Sequence, residues 1–183
     1  MLTKNYNFGQ LVELLCVIGQ VAPDSRSTFV SRIMQLQRLG FPDGVNVGHG
    51  KRMRYSFVEI YKLAIAFEIL ATGVTPRISL NAIRENWEII FESIENFFDK
   101  NSNEKCPNFP EKVIVMRPSC SDFAVCTGLI FQTVELPNLI SVILKSSENR
   151  DRGCLVVIRI YTIFRRIEGY LIGQNSVAGE LLR

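Results

Sequence analysis

Apolar residues near the start of the chain recur at three- and four-residue intervals, and the pattern breaks wherever glycine, proline or a polar run intervenes. Leu11, Leu14, Leu15 and Ile18 form one such stripe, which predicts a helix from Phe8 to about Gly19. Turn-forming residues follow from Gly19 to Ser25. A second helix is expected from about Ser27 to Leu39, with Phe29, Ile33, Leu36 and Leu39 inward and Thr28, Ser31, Arg32, Gln35 and Arg38 outward. Gly40 and Pro42 are its stop signals.

Two short β-type runs then flank Gly48-His49-Gly50, so 45–55 reads as a small hairpin with a basic tip. Ser56 and Glu59 have the spacing of a capping box, and a third helix should run from Ser56 through Tyr61, Ala64, Ile65 and Ile69 to Gly73. Thr75-Pro76 has the form of an N-cap followed by proline at the first helical position. From there Leu80, Ile83, Trp87, Ile90, Ile94 and Phe97 recur at 3, 4, 3, 4, 3. That stripe predicts a long helix, either an ordinary core-facing one or the seam of a homodimer.

The polar, proline-containing run from Asn101 to Pro110 marks a domain boundary, giving 1–100 and 105–183. Beyond it Val113 to Met116 and Ile140 to Leu144 read as short strands, and Phe123 to Phe131 as strand or helix. Val156, Ile160, Ile163, Phe164, Ile167 and Leu171 have helical spacing, though their β-branched content also permits a strand start. The fold class expected is α+β.

Composition narrows the function classes. Hydrophobic residues make up 47% and charged residues 21% of the 183, an ordinary globular balance that excludes disordered and fibrous readings. The apolar stretches Ser119 to Leu144 and Cys154 to Ile172 are too interrupted by charge and proline to cross a bilayer. No apolar signal core opens the chain, which points to the cytoplasm, and no membrane partner is expected. Five cysteines without CxxC spacing and one histidine make no zinc set, so neither metal nor cofactor is expected. There is no phosphate-binding glycine loop and no recognisable nucleophile context, and the lone His49 sits in a glycine-flanked loop, so an enzyme is not expected.

The net charge of +3 conceals an asymmetry. Residues 1–87 carry ten Lys/Arg against six acids, and between Arg26 and Arg54 six bases stand against Asp43 alone. Concentrated positive charge favours an anionic partner.

The order helix, turn, helix, basic hairpin, helix is that of a winged helix-turn-helix, and the residues resemble the MerR family of bacterial DNA-binding regulators. Tyr6-Asn7-Phe8-Gly9-Gln10-Leu11 is similar to the opening of that family's first helix. Leu39-Gly40-Phe41 with Pro42 is similar to the end of its recognition helix, and Gly50-Lys51-Arg52-Met53-Arg54-Tyr55-Ser56 to its wing. Gly73-Val74-Thr75-Pro76 is similar to the turn before its fourth helix. The resemblance covers roughly residues 5–86. Arg32-Ile33 stands near where the family carries Arg-Tyr, and no cysteine follows the long helix as in a metal sensor.

The resemblance implies an N-terminal winged helix followed by a long helix and a smaller mixed α/β C-terminal domain that binds an effector or partner. The candidate DNA-contacting residues are Arg26, Ser27, Thr28, Ser31 and Arg32 on the second helix, with His49, Lys51, Arg52, Arg54 and Tyr55 on the wing. Small polar and basic groups near a helix N-terminus are what base edges in a major groove require, and bases on a hairpin suit phosphates. Leu80, Ile83, Trp87, Ile90, Ile94 and Phe97 are the candidate dimerisation residues. The function expected is a sequence-specific, nucleoid-associated transcriptional regulator binding double-stranded DNA as a homodimer, with RNA polymerase or another protein as a possible partner. The alternatives are an architectural protein similar to phage excisionases or small terminase subunits, and a protein-interaction or ligand-sensing module worked by the C-terminal half.

Overall fold

The computed structural model describes residues 5–45, 53–92, 112–119, 128–139, 141, 156–159, 162–163, 165–167 and 169–170. It is α+β: the described residues include helices α1 (Phe8–Ile18), α2 (Arg26–Arg38), α3 (Phe57–Ala71) and α4 (Pro76–Glu85), and strands β1 (Lys112–Ser119), β2 (Gly128–Glu135) and β3 (Val156–Arg159). Contacts divide it into two units, Met1–Glu68 with Thr162–Arg183, and Ile69–Tyr161. The division differs from the boundary expected at 101–110. The C-terminal segment, in which Ile163 and Ile167 are buried, falls in the same unit as the first helices.

In the first unit, α1 starts where the Asn7 side chain accepts the Gln10 N–H at 2.9 Å and the Gln10 side chain accepts the Asn7 N–H at 3.0 Å. This reciprocal pair satisfies two of the amides that a helix start leaves open. Leu11, Val12, Leu14, Leu15 and Ile18 are its buried stripe. A short 3-10 turn, Pro23–Ser25, leads directly into α2.

Gly40 ends α2 as its position predicts. Its φ of 76° is in the left-handed region, and Gly40 N–H donates to Gln37 O at 2.9 Å while Phe41 N–H donates to Leu36 O at 3.0 Å. Those two bonds make a Schellman motif, and the accompanying apolar pair, Phe41 and Leu36, is buried. The next peptide, Phe41-Pro42, is cis.

Helix α3 buries Ile60, Tyr61, Leu63, Ala64, Ile65 and Ala66, and Lys62 among them is half-buried. At its start the Glu59 carboxylate accepts the Ser56 N–H at 2.6 Å and also the Ser56 hydroxyl. The N–H to carboxylate arm is that of a capping box; the serine donates its hydroxyl to Glu59 as well. Just before it, Tyr55 and Tyr6 form an antiparallel bridge, with N–H to O distances of 2.8 and 2.9 Å.

In the second unit, α4 begins at Thr75-Pro76 as expected, but the long helix does not run unbroken. Asn86 interrupts it, its side-chain amide donating to Ala82 O at 2.8 Å, and residues 87–92 are helical again. The break is confined to this residue, since the Asn86 N–H also donates to Ala82 O at 3.2 Å and Asn86 O accepts the Ile90 N–H at 3.1 Å. The sheet is antiparallel, ordered β2-β1-β3, with Val113 opposite Val134 and Ile114 opposite Ile158. Val113 to Met116 are buried in succession, so the central strand is covered on both faces. Helix α4 packs against β2. Of the strand expected from Ile140 to Leu144, Ser141 alone lies among the described residues, and it is helical, as is Leu139 before it. Both readings left open for the last segment apply in part: Val156–Arg159 is strand, and 162–163, 165–167 and 169–170 are helical.

Two measurements check this framework. Glu59→Ala removes the acceptor of both Ser56 donors and should lower stability by about 1 kcal/mol, seen as a lower denaturant midpoint at unchanged slope. An unchanged midpoint would contradict the cap.

Burial raises the Tyr61 hydroxyl far above the usual phenol range and shifts Tyr6 and Tyr55 the same way. Unfolded tyrosine ionises near pH ~10, so this stability is complete below about that pH and declines as the pH rises through and beyond it. Tyr61→Phe should make the alkaline decline shallower. A decline just as steep would show that Tyr61 does not carry it.

Candidate nucleic-acid interface

Helix α2 has the sequence Arg-Ser-Thr-Phe-Val-Ser-Arg-Ile-Met-Gln-Leu-Gln-Arg, three bases and no acid. Its inner side is Ile33, Leu36 and Gln37. Phe29 is half-buried, with its ring centroid 4.5 Å from that of Phe67 on α3. With that side turned inward, the helical repeat turns Thr28, Ser31, Gln35 and Arg38 outward at successive three- and four-residue steps. All four are exposed, as are Arg26, Ser27 and Arg32. The Ser31 hydroxyl donates to Ser27 O at 3.0 Å, which leaves its oxygen lone pairs available outward.

Ser27, Thr28, Ser31 and Arg32 therefore share one solvent-facing surface, with Arg32 at its edge rather than its middle, whereas Arg26, exposed at the helix start, stands seven residues before buried Ile33 on the opposite side. Gln35 and Arg38 belong to the middle and are the additions that the fold makes to the candidate set. Their three- and four-residue spacing from Ser31 was the available signal. At the helix start Arg26 is close enough to Cys16 to act on its thiol: burial pushes that thiol up, Arg26 pulls it down, and Glu13 adds to the rise. Cys16 is a free thiol kept in its neutral form.

Of the wing candidates, His49, Lys51 and Arg52 lie outside the described residues, and so does most of the expected hairpin. Arg54 is described and exposed. Tyr55 departs from the expectation. Its side chain is 0% exposed, so it cannot touch a phosphate. The Gln37 amide donates to the Tyr55 hydroxyl, and that hydroxyl donates to Met53 Sδ at 3.3 Å. Tyr55 is thus a strut between α2 and the chain ahead of α3, and it carries Arg54 immediately before it. A tyrosine flanked by Arg54 and Ser56 gives no sequence sign of which way its ring points.

The candidate dimerisation stripe also sits differently. Leu80, Ile83 and Ile90 are buried within a single copy of the chain, where α4 packs on β2. Trp87 is half-buried with its ring 5.8 Å from that of Phe91, and Ile94 and Phe97 lie outside the described residues. The buried members of the stripe are core positions, the first of the two readings that the spacing permits.

Comparison with protein-family models and with curated protein sequences finds no match. The chemistry of the surface must then be judged from its own residues. Among the described residues no group of His, Cys, Asp and Glu could hold a metal ion, and no helix is long and apolar enough to cross a membrane. The exposed face of α2 offers hydroxyls, an amide and guanidinium groups. Those groups donate to anionic oxygens and to the acceptor edges of purines, and they offer no carboxylate to repel either.

Tyr55→Phe separates the two roles considered for this residue. As a strut it should cost about 1 to 2 kcal/mol of stability, because Gln37 loses the hydroxyl that accepts its amide. A phenylalanine chain as stable as the parent would contradict the strut.

Proposed function

We propose that this chain is a sequence-specific DNA-binding transcriptional regulator, in which α1, the following turn and α2 act as a helix-turn-helix and the basic segment around Lys51, Arg52 and Arg54 acts as a wing. The observation that carries this reading is the outward face of α2, where Thr28, Ser31, Gln35 and Arg38 lie in one row flanked by Ser27 and Arg32, without an acidic side chain. A helix of this kind fits the major groove, where glutamine pairs with adenine and arginine with guanine by paired hydrogen bonds. Ser27 and Thr28 in the first turn suit phosphate or base contacts, and Arg26 suits a phosphate.

The framework behind that face supports the same reading. Ile33, Leu36, Phe29 and the Gln37–Tyr55 contact hold the inner side of α2, so its outer side chains are presented from a fixed helix. Base recognition depends on such fixed presentation, because a paired hydrogen bond to a base tolerates little angular error. Homodimer binding to two half-sites belongs to the proposal as well. It calls for a contact surface other than Leu80, Ile83 and Ile90, which are packed inside one copy.

The test is enrichment from a pool of randomised duplex DNA by the purified chain, followed by affinity measurements on the enriched and an unrelated duplex. Three phosphate contacts from the wing would give a salt slope of about −2.7, or about 40-fold weaker binding between roughly 50 and 200 mM salt. Arg32→Ala or Gln35→Ala should lower the preference for the enriched duplex by about 1 to 3 kcal/mol for each paired base contact removed. Lys51→Ala should weaken both duplexes alike and reduce the slope by about 0.9. Equal losses on both duplexes for every variant would leave only non-specific binding and would contradict the proposal.

A further inference from the structure

Each helix leaves its last four carbonyl groups without partners inside the helix. In α1 these belong to Leu15, Cys16, Val17 and Ile18, and each finds a donor. Gly19 N–H donates to Leu15 O at 2.9 Å, Val21 N–H to Cys16 O at 2.9 Å and Gln20 N–H to Val17 O at 3.2 Å. The carbonyl of Ile18 is left to a residue from the far end of the chain: Arg166 Nη1 donates to it at 2.8 Å.

Several observations make this contact more than a surface encounter. Helix α1 has no basic residue in its last turn, so its negative end is not compensated from within. Arg166 supplies the missing positive charge across 148 residues of sequence. Its neighbours Ile163 and Ile167, 2% and 0% exposed, are four residues apart and anchor the segment by one helical face. Further along, Tyr170 is close enough to Tyr6 to raise its hydroxyl, after burial, which does more. The segment therefore meets the end of α1 through Arg166, and Tyr170 lies near the Tyr6 hydroxyl.

The place that Arg166 holds is the start of the turn into α2. That turn is strained at Gln20, a non-glycine residue with φ 49°, and it has few residues in which to absorb a change of direction before Pro23. We infer that Arg166 is a positioning residue for DNA recognition, closing the C-terminal end of α1 so that the turn delivers α2 at the angle its base-reading face requires. The C-terminal segment is then part of the DNA-binding unit and acts through the turn without touching the nucleic acid. This inference rests on the reading of α2 given above.

The experiment compares the full chain with Arg166→Ala, Arg166→Lys and Arg166→Gln by amide hydrogen exchange and by binding to the enriched and unrelated duplexes. Losing a charged hydrogen bond should speed exchange at Gly19, Gln20 and Val21 about tenfold in Arg166→Ala, and Arg166→Lys should restore most of the protection. Preference for the enriched duplex should fall several-fold in parallel, while the salt slope stays unchanged. Arg166→Gln keeps a donor without the charge and gives an intermediate result, which serves if the alanine chain does not fold.

Unchanged exchange at the turn would overturn the inference, as would an Arg166→Lys chain as impaired as Arg166→Ala. So would a slope reduced by about 0.9, because Arg166 would then be a phosphate contact itself. If the unsubstituted chain enriches no duplex, the DNA reading fails by itself, and the exchange data alone decide whether Arg166 holds the turn.

Discussion

Tyr55 joins three parts of the first unit at one buried point. Its backbone pairs with Tyr6 ahead of α1, its hydroxyl accepts the Gln37 amide from α2, and the next residue, Ser56, opens α3 through Glu59. A phenol in the interior is tolerated only when its hydroxyl is bonded, so the ring and its partner constrain each other. The result is a fixed distance between the inner side of α2 and the start of α3. The outward face of α2 is presented from a helix whose opposite side is held in this way.

The same logic of satisfied polar groups recurs at the helix ends. Asn7 with Gln10, the Schellman bonds around Gly40, and Ser56 with Glu59 are local devices, each within a few residues of the end it closes. Arg166 is the exception, because it closes α1 from the far end of the chain. Local caps fix where helices begin and stop. A cap supplied from elsewhere ties the geometry of one segment to the docking of another, and here the segment tied is the turn that leads into α2.

Local devices are what a linear sequence shows well. The stripe Leu11, Leu14, Leu15 and Ile18, the stop at Gly40, the pair Ser56 and Glu59, and Thr75-Pro76 were all legible, since each depends on residues near in sequence. The outward surface of α2 was legible in part: Ile33 and Leu36 are buried as expected, but Leu39, expected inward, is exposed, and Gln37 is buried in its stead. Features that depend on distant pairing were not legible. Tyr55 directly follows Arg54 yet points inward to Gln37, and nothing within the wing signals that partner. The stripe from Leu80 has the spacing of a dimer seam, but α4 packs on a strand near residue 130, and Asn86 interrupts the run. The C-terminal isoleucines have helical spacing, and only the fold assigns them to the first unit.

The central claim is that the exposed row on α2 contacts duplex DNA, and chemical-shift mapping tests it most directly. A mixed-sequence duplex is titrated into the isotope-labelled full chain at low ionic strength. The predicted result is perturbation concentrated on Ser27, Thr28, Ser31, Arg32, Gln35 and Arg38, with Arg54 responding and the β1–β2 strands silent. Shifts confined to the sheet, or no shifts at all, would contradict it.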